Sequence, residues 1–380
     1  MPSKTAATEG AGMGTAADAR GPTRDAAPDA AVLQEIHGKV LNDCNGGMGV
    51  LLAFVGDKLG LFRALAEGGP VNSAVLAGRL GLDERMVREW LAATAAAGYV
   101  RYDAPSGRFD LTPEQAVVFA AEGHPAFMQG PMDLIYSAFQ DEPKLRDAFR
   151  HGRGLAWADH NACLFCATDR FFGPLYRSAL LDDWLPAVEG LVDKLREGAD
   201  VADVGCGLGT STLLMAEAFP ASRFTGFDNH PASIVAARDA ARRADLNGRL
   251  RFVPASAKDY GGAYDLICFF DALHDMGDPV GAAAHARECL RPGGALVLVE
   301  PYADDRLEDN LAPERVPVSR FFYAASTVAY VPGSHAQEVG LALGGQAGRG
   351  RLTAVLNEAG FDDVRVATST PLNLVIEARV

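Results

Sequence analysis

From Val201 to Thr212 the chain sets Gly205, Gly207 and Gly209 on alternate positions, behind four residues of mostly apolar strand character and ahead of a Thr-Ser-Thr run. A strand that stops on glycines and restarts as a helix brings backbone N–H groups and a helix N-terminus against a ligand, and a Cβ there would hold the ligand off. The dinucleotide fingerprint G-x-G-x-x-G needs its third glycine one position later. This chain has Thr210 there, and its glycines alternate behind an acid, Asp203. A second strand, Arg223 to Phe227, ends on Asp228, 23 positions after Gly205. An acid near that offset is placed to accept both hydroxyls of a ribose.

The spacing of Asp203 and the three glycines resembles motif I, D-x-G-x-G-x-G, of class I S-adenosylmethionine-dependent methyltransferases. The α/β alternation that follows is regular. Strands are expected at 224–227, 250–253, 264–270 and 295–299, with helices over 231–244, 280–290 and 351–359. Two last strands, 364–368 and 373–378, are joined by so short a turn that they must pair antiparallel. An otherwise parallel sheet that ends in an antiparallel hairpin resembles the class I methyltransferase sheet rather than a dehydrogenase Rossmann domain. The expected fold class is therefore α/β, a Rossmann-like sheet with a C-terminal hairpin, preceded by an α-helical winged-helix domain.

Ligands of open α/β sheets bind beyond the carboxyl ends of the strands. The glycine turn, Asp228 and the stretch from Asp271 to Met276 all fall there. Leu273-His-Asp-Met, followed by a helix and Leu290-Arg-Pro-Gly-Gly294, resembles the matching region of plant-type small-molecule O-methyltransferases. A group of actinobacterial winged-helix methyltransferases is similar from about Ala30 to the C-terminus. That resemblance implies S-adenosyl-L-methionine as cofactor, bound by Asp203, Gly205, Gly207, Gly209, Asp228, Asn229, Ser256, Ala257 and Asp271. It also implies His274 as general base, oriented by Asp275 or Glu300. Ser256 departs from the family, which often has Asp there to accept from the adenine amino group. Serine accepts a hydrogen bond without adding charge. Methyl transfer from a sulfonium needs positioning and, for a hydroxyl acceptor, removal of its proton, which suits an imidazole with a pKa near 6.5.

Residues 1–28 hold almost no large apolar side chain and are expected to be disordered. Apolar residues at helical spacing then predict two or three helices over 30–66. Helix, turn, helix and a hairpin around Ala104-Pro-Ser-Gly107 make a winged helix within 29–125. Between Val71 and Pro113, Arg79, Arg85, Arg88, Arg101 and Arg108 are balanced by Asp83, Glu84, Glu89, Asp103 and Asp110. Met86, Val87, Trp90 and Leu91 form one stripe suited to packing on protein, so homodimerisation is expected rather than DNA contact.

Residues 126–195 read as an aromatic-rich helical connector and substrate cap. Residues 196–380 form the cofactor-binding domain, in which 302–349 interrupt the alternation as a second cap segment. Arg170 with Phe171, and Arg320 with Phe321, are expected to wall a substrate pocket and to meet a carboxylate or phosphate. Cys163 and Cys166, just after His160, are expected to be two buried thiols on one helical face, since a lone C-x-x-C is weak evidence for zinc. A His274–Asp275 pair with a distant His335 could form a facial iron site in a C-methyltransferase, but no metal is expected.

The 380 residues carry a net charge of −14, which argues against a phosphate backbone as partner. No apolar run reaches membrane-spanning length and no basic-then-apolar leader opens the chain, so a cytoplasmic protein with reduced cysteines is expected. The leading expectation is methyl transfer to a small-molecule hydroxyl. C-methylation, possibly metal-assisted, comes second, and a nucleoside-binding winged-helix regulator represents another class of function.

Overall fold

The computed structural model describes residues 27–246 and 248–380. The expected disordered tail lies outside them, apart from its last two positions. The described residues up to Met48 form one compact unit, and Gly49–Val380 form a second.

The two or three helices expected over 30–66 are two, a 29-residue helix, Ala30–Lys58, and a short one, Leu61–Gly68. The break is Gly60 at φ +72°, a left-handed position that stops the first helix. In the first unit Val32, Leu33, Ile36, Val40 and Leu41 are each 51–54 % exposed.

In the second unit, helix Ser73–Leu80 is capped by Asn72, and helix Glu84–Ala96 by Asp83. Strands β1 (Arg101–Asp103) and β2 (Arg108–Asp110) form the wing, which Val71 joins through a bridge to Phe109. Phe62, Leu65, Leu76, Val87, Trp90 and Leu91 are the core of this part. Met86 was expected in the same stripe but is 71 % exposed. It lies in the first turn, held by its N–H to the Asp83 carboxylate, and points away from the core.

Seven strands form the main sheet: β3 (Asp200–Val204), β4 (Arg223–Asp228), β5 (Leu250–Pro254), β6 (Tyr264–Phe270), β7 (Leu290–Pro301), β8 (Asp363–Ser369) and β9 (Asn373–Arg379). Their order is β5-β4-β3-β6-β7-β9-β8. The first five are parallel, and β9 runs antiparallel to both β7 and β8. The central strands are apolar on both faces, as a sheet covered by helices on both sides requires. Leu266, Cys268 and Phe270 point into one layer, and Ile267 and Phe269 into the other. The order reverses between β3 and β6, where an open α/β sheet leaves a crevice at its carboxyl edge.

Candidate active site

The crevice is the mouth of a cavity of about 1080 Å³. Gly205, Cys206, Gly207 and Leu208 from the turn after β3 line one end, with Asp228 and Asn229 after β4 and Ser256 and Ala257 after β5. Asp271, at the end of β6, also lines it and holds φ +50°, an uncommon backbone for a non-glycine residue. Its side chain is fixed by Asn373 Nδ2 at 3.0 Å. Burial pushes the Asp271 carboxyl well above its usual range.

Asp228 is the hinge of the cofactor end. Its Oδ2 accepts the Gly207 N–H at 2.9 Å and its Oδ1 accepts the His230 N–H at 2.8 Å. Burial raises its carboxyl above the ordinary value, against those two bonds. A carboxylate has about four lone-pair sites, so two remain to meet a diol. At Gly207 φ is +52°, and an added Cβ would meet no protein atom within 4 Å. The residue lines the cavity, so that Cβ would fill space a ligand uses. The site therefore fits a nucleoside: a side-chain-free turn lies beside a fixed acid at the sheet's carboxyl edge.

Two expected cofactor residues do not reach the cavity. Asp203 is buried, and its Oδ2 accepts from Ser211 Oγ and Thr212 Oγ1, each at 2.7 Å. It ties the strand to the start of helix Thr210–Ala218, and burial lifts it to about 6. Gly209 is the residue before that helix, and a Cβ there would sit 2.5 Å from the Phe252 ring. Both shape the turn rather than touch the space.

His274 follows β6 in a short 3-10 turn, and only 1 % of it is exposed. Its Nδ1 lies 2.5 Å from Glu300 Oε2, while Glu300 Oε1 accepts the Leu273 N–H at 3.0 Å. Burial opposes the imidazolium, but the charge and hydrogen bond of Glu300, aided by Asp275 and Asp271, carry His274 up to about 9. Of the two expected orienting groups, the structure brings Glu300 to the ring. Asp275 lines the cavity, and burial raises it to about 7. His274 itself does not line the cavity, and its Nε2 has no partner among the described residues. Tyr330, which does line it, packs edge-on against the imidazole with ring centroids 4.2 Å apart.

The far half of the cavity is walled by residues from 126–195 and from 302–349. Helix Cys163–Ala179 contributes Leu164, Phe165, Thr168, Asp169 and Phe172, and the other segment contributes Arg320, Phe321 and Tyr330. Phe171 stacks on Phe321 at 5.6 Å from behind the lining. Arg170 departs from expectation. It turns away from the cavity into a cluster with Asp133, Asp57 at 2.9 Å and Glu122 at 3.0 Å. A largely buried guanidinium is held by carboxylates, and these are already on the chain. Asp169 Oδ1 accepts from Thr210 Oγ1 at 2.5 Å, a cap-to-turn link that the sequence reading did not include.

All six cysteines are free. Cys166 is exposed and Cys163 only half-buried, because Leu164 and Ala167 occupy the inward face of the helix. Among the described residues no group of three or more His, Cys, Asp or Glu is arranged to hold a metal, so the His274–Asp275–His335 set is not assembled.

Residues 202–296 match the family model described as a methyltransferase domain. The chain carries a methyltransferase domain. Residues 47–121, ahead of that domain, match an Rv2258c-like winged HTH domain. Among curated relatives, trans-aconitate 2-methyltransferase of Streptomyces avermitilis is 36 % identical over 128 residues, 33 % of this chain and 48 % of that protein. The Streptomyces coelicolor trans-aconitate 2-methyltransferase is 42 % identical over 125 residues, 30 % of this chain and 40 % of the relative. The chain thus spans about half the length, or less, of the curated relatives it matches. Solved structures align along nearly all of it. An O-methyltransferase family protein from Burkholderia thailandensis gives a TM-score of 0.67 at 20 % identity, covering 93 % of this chain and 99 % of the other. Human N-acetylserotonin methyltransferase in complex with SAM gives 0.64 at 19 %, covering 93 % and 98 %. At such identities the likeness is one of fold, and the methyltransferase domain itself implies S-adenosylmethionine as its cofactor. No described helix is long and apolar enough to cross a membrane.

Proposed function

We propose that this protein transfers a methyl group from S-adenosylmethionine to a hydroxyl of a small-molecule acceptor. The observation that carries the reading is the continuity of one cavity, from the glycine turn and Asp228 to the aromatic cap. Its volume of about 1080 Å³ is at the upper end of ligand pockets and suits a cofactor and an acceptor side by side. When bound, the cofactor supplies an electrophilic sulfonium methyl.

The residues divide the remaining work. Gly205 and Gly207 give backbone at close range, Asp228 accepts the ribose hydroxyls, and Asn229, Ser256, Ala257 and Asp271 complete the nucleoside end. Ser256 Oγ already accepts the Lys258 N–H at 3.2 Å, which leaves it one further lone pair. The cap excludes water and orients the acceptor, with Phe321 and Arg320 on its wall. His274, held by Glu300, takes the hydroxyl proton through its neutral fraction, which grows as pH rises toward about 9. The covered Nε2 has to open to the acceptor, in keeping with catalytic contacts that tighten only in the complex. Residues 126–195 and 302–349 act as the cap in this reading, and 29–125 as the oligomerisation domain.

The partner in solution is a second copy of the chain, meeting it through helix Ala30–Lys58. Five apolar side chains from Val32 to Leu41 recur there at three- and four-residue spacing, each more than half exposed. A regulator that binds DNA is disfavoured by helix Glu84–Ala96, where Arg85 and Arg88 are paired with Glu89 and Glu84 on their own helix.

The test is transfer of isotope-labelled methyl from S-adenosylmethionine into a small-molecule extract by the full chain. Label on oxygen is expected, and His274→Ala should reduce it by about 10²-fold or more, the usual contribution of a general base. Label on carbon, or wild-type turnover in the variant, would overturn the O-methyl reading or the base, respectively.

A further inference from the structure

A histidine–carboxylate pair remote in sequence from His274 lines the cavity. His160 Nδ1 is 2.8 Å from Asp141 Oδ2. The same oxygen accepts the Asn161 N–H at 3.0 Å and Asn161 Nδ2 at 2.9 Å, and Lys144 Nζ reaches Oδ1 at 2.8 Å. Asp141 is ionised throughout the physiological range. Burial alone would raise it, but Lys144, the Asn161 backbone and His160 together hold it at about 2. An ionised acid is an acceptor only, so the proton it receives is on Nδ1. In a neutral imidazole the other nitrogen, Nε2, is then a lone-pair acceptor, its tautomer fixed by the carboxylate.

That nitrogen has no partner among the described residues and is itself covered, while His160, 8 % exposed, lines the cavity, so a donor reaches Nε2 once a neighbouring side chain yields. Burial first, then the Lys144 charge, disfavour the imidazolium. They outweigh Asp141 and Asp159, so His160 is lowered from 6.5 and neutral at pH 7. Apolar and aromatic residues share the lining around it with Ser137 and Glu142. Trp157 meets the imidazole edge-on at 6.0 Å and Phe165 meets Trp157 at 5.8 Å, with Leu145 and Leu164 on the same lining. Phe165 also stacks on His230 at 4.2 Å, whose N–H is bound by Asp228, so this pocket adjoins the cofactor end.

We propose that His160, oriented by Asp141, is a recognition site that accepts a hydrogen bond from an O–H or N–H on an aromatic acceptor molecule. A buried polar atom left without a donor is costly, so a ligand that supplies the donor is favoured over one of the same shape that does not. The proposal deepens the methyl-transfer reading by giving the acceptor's class, but binding alone tests it.

The experiment is calorimetric titration of the full chain with phenol and with toluene, which share a ring but differ in the donor. Phenol is expected to bind on the order of ten-fold tighter at pH 7.5, from the cost of leaving a buried acceptor unpaired. The preference should vanish only as pH falls through the His160 titration, which burial places below 6.5, because imidazolium offers two donors and no acceptor, while toluene binding should hold. His160→Phe should abolish the preference and keep toluene binding. Equal affinities in the wild type, a preference that ignores pH or survives in His160→Phe, or no binding of either probe would each overturn the assignment. If His160→Phe does not fold, the wild-type contrasts decide. S-adenosylhomocysteine is titrated into the same samples. Its failure to bind would remove the methyl-transfer reading and leave the phenol result standing.

Discussion

At Gly207 the backbone holds φ +52° beside open cavity, whereas at Gly209 it holds φ +86° against the Phe252 ring. The same substitution should therefore fail in two ways. Gly207→Ala costs the left-handed backbone, about 1 kcal/mol, and places a methyl in the nucleoside's space. A modest fall in melting temperature with a large loss of S-adenosylhomocysteine affinity is expected. Gly209→Ala adds a collision to the strain and should lose about 2–4 kcal/mol of stability, read by denaturant melts. Such backbone sites are legible in a sequence because their spacing is local. The His160–Asp141 pair is not, since the two residues are 19 apart on different elements and neither sits in a motif. Arg170 was misread for the same reason: its partners Asp57 and Asp133 lie 113 and 37 positions away.

Glu300, near the end of β7, pins the turn after β6 through both oxygens, so one side chain joins two elements. His274 is raised from 6.5 to about 9 on folding. A raised histidine contributes stability that is complete below the unfolded value and is lost as pH climbs through the folded one. Glu300→Gln is expected to cost about 3 kcal/mol near pH 6. The difference from wild type should shrink between pH 6.5 and 9 in thermal melts run across that range. A constant difference would mean that the pair is uncharged in the folded protein. The strands around this turn were legible, because apolar runs such as 264–270 are covered on both faces and bounded by breakers. The helices within 302–349 were not. Their shape is set by packing on the cavity and on the His274 turn, as when Ser334 Oγ donates to the Met276 carbonyl.

For the molecule as a whole, the apolar side chains of helix Ala30–Lys58 and the proposed dimer are one question. Light scattering should give twice the chain mass for the wild type. Val40→Glu puts a charge among residues that are 51–54 % exposed in the single chain, so it should shift the mass to that of one copy without unfolding it. An unchanged mass would remove this helix from the contact.

Arg170 carries a practical consequence. Two of its acids, Asp57 and Glu122, precede residue 125, while Asp133 and Arg170 follow it. A chimera spliced at that apparent joint, with its first third borrowed from a homologue, would leave the buried cation with Asp133 alone unless the donor also supplied acids at both places. Compatible parents for domain shuffling can thus be chosen by inspecting two positions, before any gene is made.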